Sequence, residues 1–235
     1  MNRSQSIAMP SITLFQTPPP ESFQSQIQQL VIDNLTTISQ VALPASNRLY
    51  PLYQYGVGYE VHLYLQAMDG SRGFPVEVVA ALDDDDPSQV LGFVLYLPLT
   101  NDPQACTLLY LAVQEGHRRK GIARAMLARV LERYPHAELG CTVSQVAFGQ
   151  ALGFQVLGTR GSQVLMNTRD HASAGLTPVL DTAPIYRSVE VRQIHAYLLK
   201  QHGEQAMVNA ERQRDRHLDQ LTNDAQAFVK VHLGR

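Results

Sequence analysis

Between Pro75 and Val113 three strand-like runs follow one another, and beyond them the chain breaks into a basic, glycine-bearing loop and then a helical repeat. PVEVVAAL (75–82), VLGFVLYLPL (90–99) and CTLLYLAV (106–113) are dense in Val, Leu, Tyr and Phe, residues that fit a pleated, half-buried surface. DDDDPSQ and TNDPQA separate them, and Asp, Asn, Pro and Ser are residues that turn a chain. The pattern predicts an antiparallel meander. EGHRRKG then leads into IARAMLARVLER, whose apolar Ile122, Ala125, Met126 and Val130 recur at helical spacing. A helix is expected over 119–133, stopped by Tyr134 and Pro135.

Either side of this block the pattern is also periodic. SITLFQT (11–17) reads as a first strand ended by three prolines, and Phe23, Ile27, Leu30, Val31, Leu35 and Ile38 mark an amphipathic helix. Residues 41–58 read as a packed loop, with a second helix from Tyr59 to Met68 closed by DGSRG. After the basic loop and its helix come a strand (AELGCTVS), a short helix from Gln145 to Leu152, and a final hairpin formed by FQVLGT and SQVLMNT. Beyond Asp170, HASAGLTPVLDTAP is small and polar and reads as a linker. It precedes one helix over 188–202 and another carrying Leu218, Leu221, Ala225 and Phe228 on one stripe. The division expected is a domain over 1–170, a linker over 171–187 and a helical extension over 188–235.

Composition narrows the function. Hydrophobic residues make up 45% of the 235 positions and charged residues 17%, as in a folded domain. A formal net charge of -2 does not support a broad nucleic-acid footprint, so phosphate recognition should be local. MNRSQSIAMPS lacks the apolar stretch of a secretory signal, and the apolar run near Val90–Leu99 is too short to span a bilayer. The cytoplasm is the expected compartment, with no membrane partner. The two cysteines, Cys106 and Cys141, form no CxxC pair and the eight histidines are scattered, so no metal site is expected. Asp83–Asp86 reads as a solvated hairpin tip rather than a cation trap.

The basic loop remains. A helix leaves its first N–H groups without intrahelical partners, and together with the helix dipole they form a site for an anion such as phosphate. Gly121 has no Cβ to block a bulky ligand, Ala123 is small, and Arg118, Arg119 and Lys120 offer charge-assisted bonds. A diphosphate suits such an entrance. GxxxxGK[ST] and GxGxxG are both absent. The bland alternative is a solvated basic loop in which Gly121 serves only the turn.

The run from Val113 to Ala123 resembles the acetyl-CoA-binding motif of the GNAT superfamily of N-acetyltransferases, whose core pattern is [QR]-x-x-G-x-[GA]. It reads here as Arg118-Arg-Lys-Gly121-Ile-Ala123, and Gly153-Phe154 in ALGF matches the family's GF signature one βα unit later. The resemblance covers about Ser11 to Arg169. It implies an α/β (α+β) fold with a mixed, mostly antiparallel central sheet flanked by helices, leaving a helical C-terminal extension outside it. It also implies acetyl-CoA as co-substrate. Leu111, Ala112 and Val113 would bond the pantetheine arm, Arg118, Arg119, Lys120, Gly121, Ile122 and Ala123 would hold the diphosphate, and Ser144 and Phe148 would complete the coenzyme contacts.

The activity implied is acetyl transfer to a primary amine of a small molecule, peptide or protein, by direct attack on the thioester, with a strand amide near Val113 stabilising the oxyanion. The ammonium must first lose a proton, and Glu115, Tyr110 and Glu77 are the candidate bases. Each has a plainer reading, as a loop acid balancing cations, a core aromatic and an outward strand residue respectively. The tyrosine that many members place four residues before the Gly of GF is replaced by Gly149, and the helper Asn by Thr142; Cys141, Ser144 or Tyr134 could substitute. A coenzyme-binding sensor or interaction module without turnover is therefore the alternative, and a homodimer joined through the Leu218–Phe228 stripe is a further one.

Overall fold

The structure, a computed structural model, describes residues 10–234. Most of the N-terminal stretch read above for a signal lies outside the described residues. Seven strands form one sheet in the order β1-β2-β3-β4-β5-β7-β6. They are β1 (Ser11–Phe15), β2 (Glu77–Leu82), β3 (Val90–Leu99), β4 (Asp102–Val113), β5 (His136–Cys141), β6 (Gln155–Arg160) and β7 (Gln163–Asn167). Every pairing is antiparallel except β4 with β5. The sheet is thus mixed and mostly antiparallel, as expected. The crossover from β4 to β5 carries α4 (Ile122–Leu131), because a parallel pair needs a long connection.

Strand alternation divides the core in two. Val78, Ala80, Phe93, Leu95, Tyr110 and Ala112 face α1 (Glu21–Asp33) and α3 (Tyr50–Ala67). Val79, Ala81, Val94, Tyr96, Leu108 and Val113 face α4. The central strands β2 and β3 are buried along their whole length, which is why they read as continuous apolar runs rather than alternating ones.

Helix α3 differs from its sequence reading. It begins at Tyr50, nine residues ahead of Tyr59, with Pro51 in its first turn. Of the glycines at 56 and 58 that argue against a helix, the first answers a packing need. A Cβ on Gly56 would lie 2.8 Å from the Tyr186 hydroxyl, so close approach of that ring outweighs glycine's poor helix propensity. Smaller differences are that β4 starts at Asp102, directly after a turn at Asn101 (φ 68°), and that α4 starts at Ile122 rather than 119.

Residues 171–187 run along the sheet and α3. Thr100 and Leu176 exchange a bridge, Ser173 N–H donates to Glu138 at 2.7 Å, and Leu180 N–H donates to the Tyr64 hydroxyl at 3.2 Å. They lead through α6 (Ala183–Tyr186) to α7 (Val189–His202), which packs on α3, and to the 30-residue α8 (Glu204–Leu233). The C-terminal half of α8 meets β6 and β7 of its own chain, with Ala225 fully buried and Phe228 packed on the same cluster.

Candidate active site

Strands β4 and β5 pair only from Ala105↔His136 to Leu108↔Leu139 and then part. The cause lies on the other edge of β4. Against β3 the register runs Tyr96↔Leu108 and then Leu95↔Tyr110, so Leu109 is an extra residue, a β-bulge. A bulge bends its strand and breaks alternation. Leu109 and Tyr110 consequently both face the α1/α3 core, while Leu108 and Leu111 face the other. Beyond Leu108 the β5-facing edge of β4 has no strand partner.

The gap forms a cleft of about 100 Å³ lined by Leu109, Tyr110 and Leu111 on one side and by Gly140, Cys141 and Thr142 on the other. Phe148 lies at its rim, half exposed, and Thr37–Ser39 cover it. That cover, beginning at α2 (Leu35–Ile38), is fastened across the gap: Gln145 Nε2 donates to the Thr37 carbonyl, and Ser162 Oγ donates to the Gln40 carbonyl at 3.3 Å.

The basic loop follows β4. Arg119 (φ 62°) and Gly121 (φ 83°) both adopt left-handed backbone, and no side chain caps α4. The amides of Ile122, Ala123 and Arg124 therefore lack intrahelical acceptors. A Cβ at Gly121 would meet nothing within 4 Å, so the space in front of these amides is open. Arg119 and Lys120 are exposed beside it. An uncapped helix start, two cations and an open glycine fit a diphosphate. Arg118 is engaged differently. Its guanidinium donates to Asn34 Oδ1 at 2.6 Å and to the Val113 carbonyl at 3.3 Å, clamping the end of α1 to the end of β4.

The three acids and phenols singled out from sequence do not converge. Glu115 is exposed on the short turn Glu115–His117 beside the basic loop. Glu77 is 4% exposed on the α4 face, the opposite face from Tyr110. There Tyr96 donates to Glu77 Oε2 at 2.7 Å, while Gln16, Tyr134 and Arg133 donate to Oε1 at 2.8, 3.1 and 3.2 Å. Glu77 is thus a buried structural anchor, with its acceptors occupied and the sheet between it and Tyr110. Tyr110 lines the cleft, and burial together with the charge of Glu60 on α3 holds its phenol well above the ordinary range. Sequence reasoning missed Glu60, since nothing local marks it; the phenol its charge acts on lies fifty positions away.

Among possible proton donors, Ser144 and Thr142 share a hydrogen bond of 2.9 Å, and Thr142 also caps the turn that precedes α5 (Val146–Ala151). Burial pushes the Cys141 thiol up to about 11, which keeps it protonated and a poor nucleophile. At Gly149 a Cβ would lie 2.8 Å from Met166 Sδ, and Met166 is itself 1% exposed. Gly149→Tyr is accordingly expected to destabilise the fold by about 1–3 kcal/mol through overpacking, read as a melting temperature lower by roughly 2–12 °C. An unchanged melt would show that Met166 yields freely.

The seven-stranded, mostly antiparallel sheet with its flanking helices has the fold of a solved N-acetyltransferase. The PaiA N-acetyltransferase of Thermoplasma acidophilum, in complex with coenzyme A, superposes with a TM-score of 0.52 at 15% identity, covering 68% of this chain and 99% of that one. The GNAT family N-acetyltransferase YhbS of Escherichia coli, in complex with CoA, gives 0.48 at 16% identity over 72% and 86% of the two chains. Spermidine N-acetyltransferase of Vibrio cholerae, with CoA and spermine, gives 0.46 at 14% over 66% and 92%. No curated protein sequence matches the chain significantly. Residues 43–154 match the model of the acetyltransferase (GNAT) family. Over that segment the chain is similar to GNAT-family acetyltransferases.

Proposed function

We propose that this chain transfers the acetyl group of acetyl-CoA to a primary amine by direct attack on the thioester, within a catalytic unit spanning residues 1–170. The observation that carries this reading is the junction of the split strands with the open basic loop. β4 past Leu108 offers unpaired backbone to an extended arm, and the same strand runs directly into amides and cations suited to a diphosphate. Leu111, Ala112 and Val113 supply the strand edge, Arg119–Ala123 the phosphate contacts, and Phe148 an apolar rim. Arg118 acts by holding the loop to α1 through Asn34. Acetyl-CoA brings the activated acyl group, while the protein aligns the reactants and shields them from water.

Coenzyme recognition without turnover is the second reading, supported by Gly149, where the helix presents no hydroxyl and Met166 occupies the space a side chain would need. Titration calorimetry with acetyl-CoA, followed by thiol release with a panel of primary amines, separates the two. Binding in the micromolar range with amine-dependent thiol release supports transfer. Binding without release supports the second reading, and no heat with acetyl-CoA overturns both.

A further inference from the structure

Helices α7 and α8 lie beyond residue 154, where the match to the family ends. They reach back to the cleft. Residues 39–49, the loop from α2 to α3, bury Leu43 and Leu49 in a third apolar cluster made with Leu198, Met207 and Ala210. Among the described residues no strand contributes to that cluster, so the loop takes its anchorage from the C-terminal helices rather than from the sheet. Two polar bonds add to it. Buried Asn47 donates to the Ala210 carbonyl of α8 at 3.1 Å, and His217 Nε2 donates to the Ala42 carbonyl at 3.0 Å.

Ala42 is the strained point of this loop. Its φ of 46° is left-handed backbone, which a residue with a Cβ adopts at a cost and keeps only where its surroundings hold it. His217 grips its carbonyl from α8, and Ser39 Oγ accepts its N–H at 3.1 Å from the end of α2. The next residue carries the link onward, since Thr36 on α2 donates from Oγ1 to the Leu43 carbonyl at 2.8 Å. Thr37, Ile38 and Ser39, which follow Thr36 directly, form one wall of the cleft. A continuous series of contacts thus runs from α8 through Ala42, Leu43 and Thr36 to the cover of the site.

Building on the transfer reading above, we propose that the C-terminal helices clamp this cover, with His217 as a positioning residue that keeps Thr37–Ser39 closed over the reacting groups beside β4. His217 does not itself line the cleft. Without its grip Ala42 relaxes toward ordinary backbone, Leu43 and Thr36 follow, and the wall lifts from Leu109–Leu111. Reactants then lose alignment, and a misplacement of about 1 Å at a reacting centre costs up to ~100-fold in rate. The basic loop at 119–123 lies on another connection, after β4, so coenzyme affinity should hold.

His217→Leu removes the donor, whereas His217→Gln keeps an N–H at comparable reach. Hydrogen exchange on the free proteins reads the clamp without any substrate. The amides of Thr37, Ile38, Ser39 and Ala42 are all hydrogen-bonded within the segment. In the leucine variant they should exchange about 3- to 10-fold faster, as the loss of one hydrogen bond implies, while β6, β7 and residues 218–233 keep their wild-type rates. With acetyl-CoA and 1,4-diaminobutane, tyramine or benzylamine, kcat should fall about 10-fold or more, with coenzyme A affinity unchanged. The glutamine variant should recover both exchange and kcat. Unchanged exchange at residues 37–42 in His217→Leu overturns the clamp, as does an equal rise across β6, β7 and α8, the mark of a merely stabilising contact. Faster exchange of the cover with unchanged kcat overturns the positioning role. A wild-type protein that binds acetyl-CoA yet releases no thiol with any of these amines overturns transfer itself, and the exchange result then decides the clamp alone.

Discussion

Replacing Gly121 by valine is expected to weaken coenzyme A binding by about 100-fold or more while the fold survives. That ratio corresponds to about 2.8 kcal/mol, roughly one or two charge-assisted hydrogen bonds to phosphate. Two effects combine. Gly121 sits at φ 83°, where an L side chain costs about 1–2 kcal/mol, so the loop relaxes and its amides turn away. Its Cβ direction also opens onto free space, which the valine methyls would take from the ligand. The melting temperature should fall by only about 2–8 °C, because no core residue is touched. Calorimetry on the variant provides the check, and full retention of affinity would remove the basic loop from the site.

Glu77→Ala should give the opposite pattern, a large loss of stability with coenzyme affinity intact. Removing the carboxylate leaves the Tyr96 and Tyr134 hydroxyls and the Arg133 guanidinium without their acceptor on the α4 face. Arg133 is 37% exposed and can turn to water, but each buried hydroxyl left without its acceptor costs about 1–3 kcal/mol. For a chain of this size the two together lower the melting temperature by about 4–24 °C. Denaturation and coenzyme titration of the same preparation read both quantities. A stable Glu77→Ala protein that binds coenzyme yet fails in transfer would return Glu77 to the chemistry.

The two substitutions also mark what the chain discloses before it is folded. The phosphate-binding loop is local: Arg118 to Ala123 lie between one strand and one helix, and both have plain periodicity. The order of strands follows from the same runs. The residues that need long-range geometry stay hidden. The extra residue at Leu109 has the composition of its neighbours, so nothing in CTLLYLAV shows where alternation slips or that β4 leaves β5 there. Glu60 is masked twice, by the glycines at 56 and 58 that make α3 look like a loop, and by acting on a phenol fifty positions later on another element. Glu77 on β2 and Tyr110 on β4 belong to one three-strand meander, yet strand alternation and the bulge put them on opposite faces.

The placement of α8 governs the order in which this protein can be made. Edge strand β6 and its partner β7 meet α8, and Ala225 reaches full burial in the same cluster as Phe154, Val156 and Val164. During synthesis the hairpin leaves the ribosome well before residues 204–233 do. A nascent chain paused between them holds a finished sheet with one apolar flank still wet, the kind of surface that chaperones recognise and that drives aggregation.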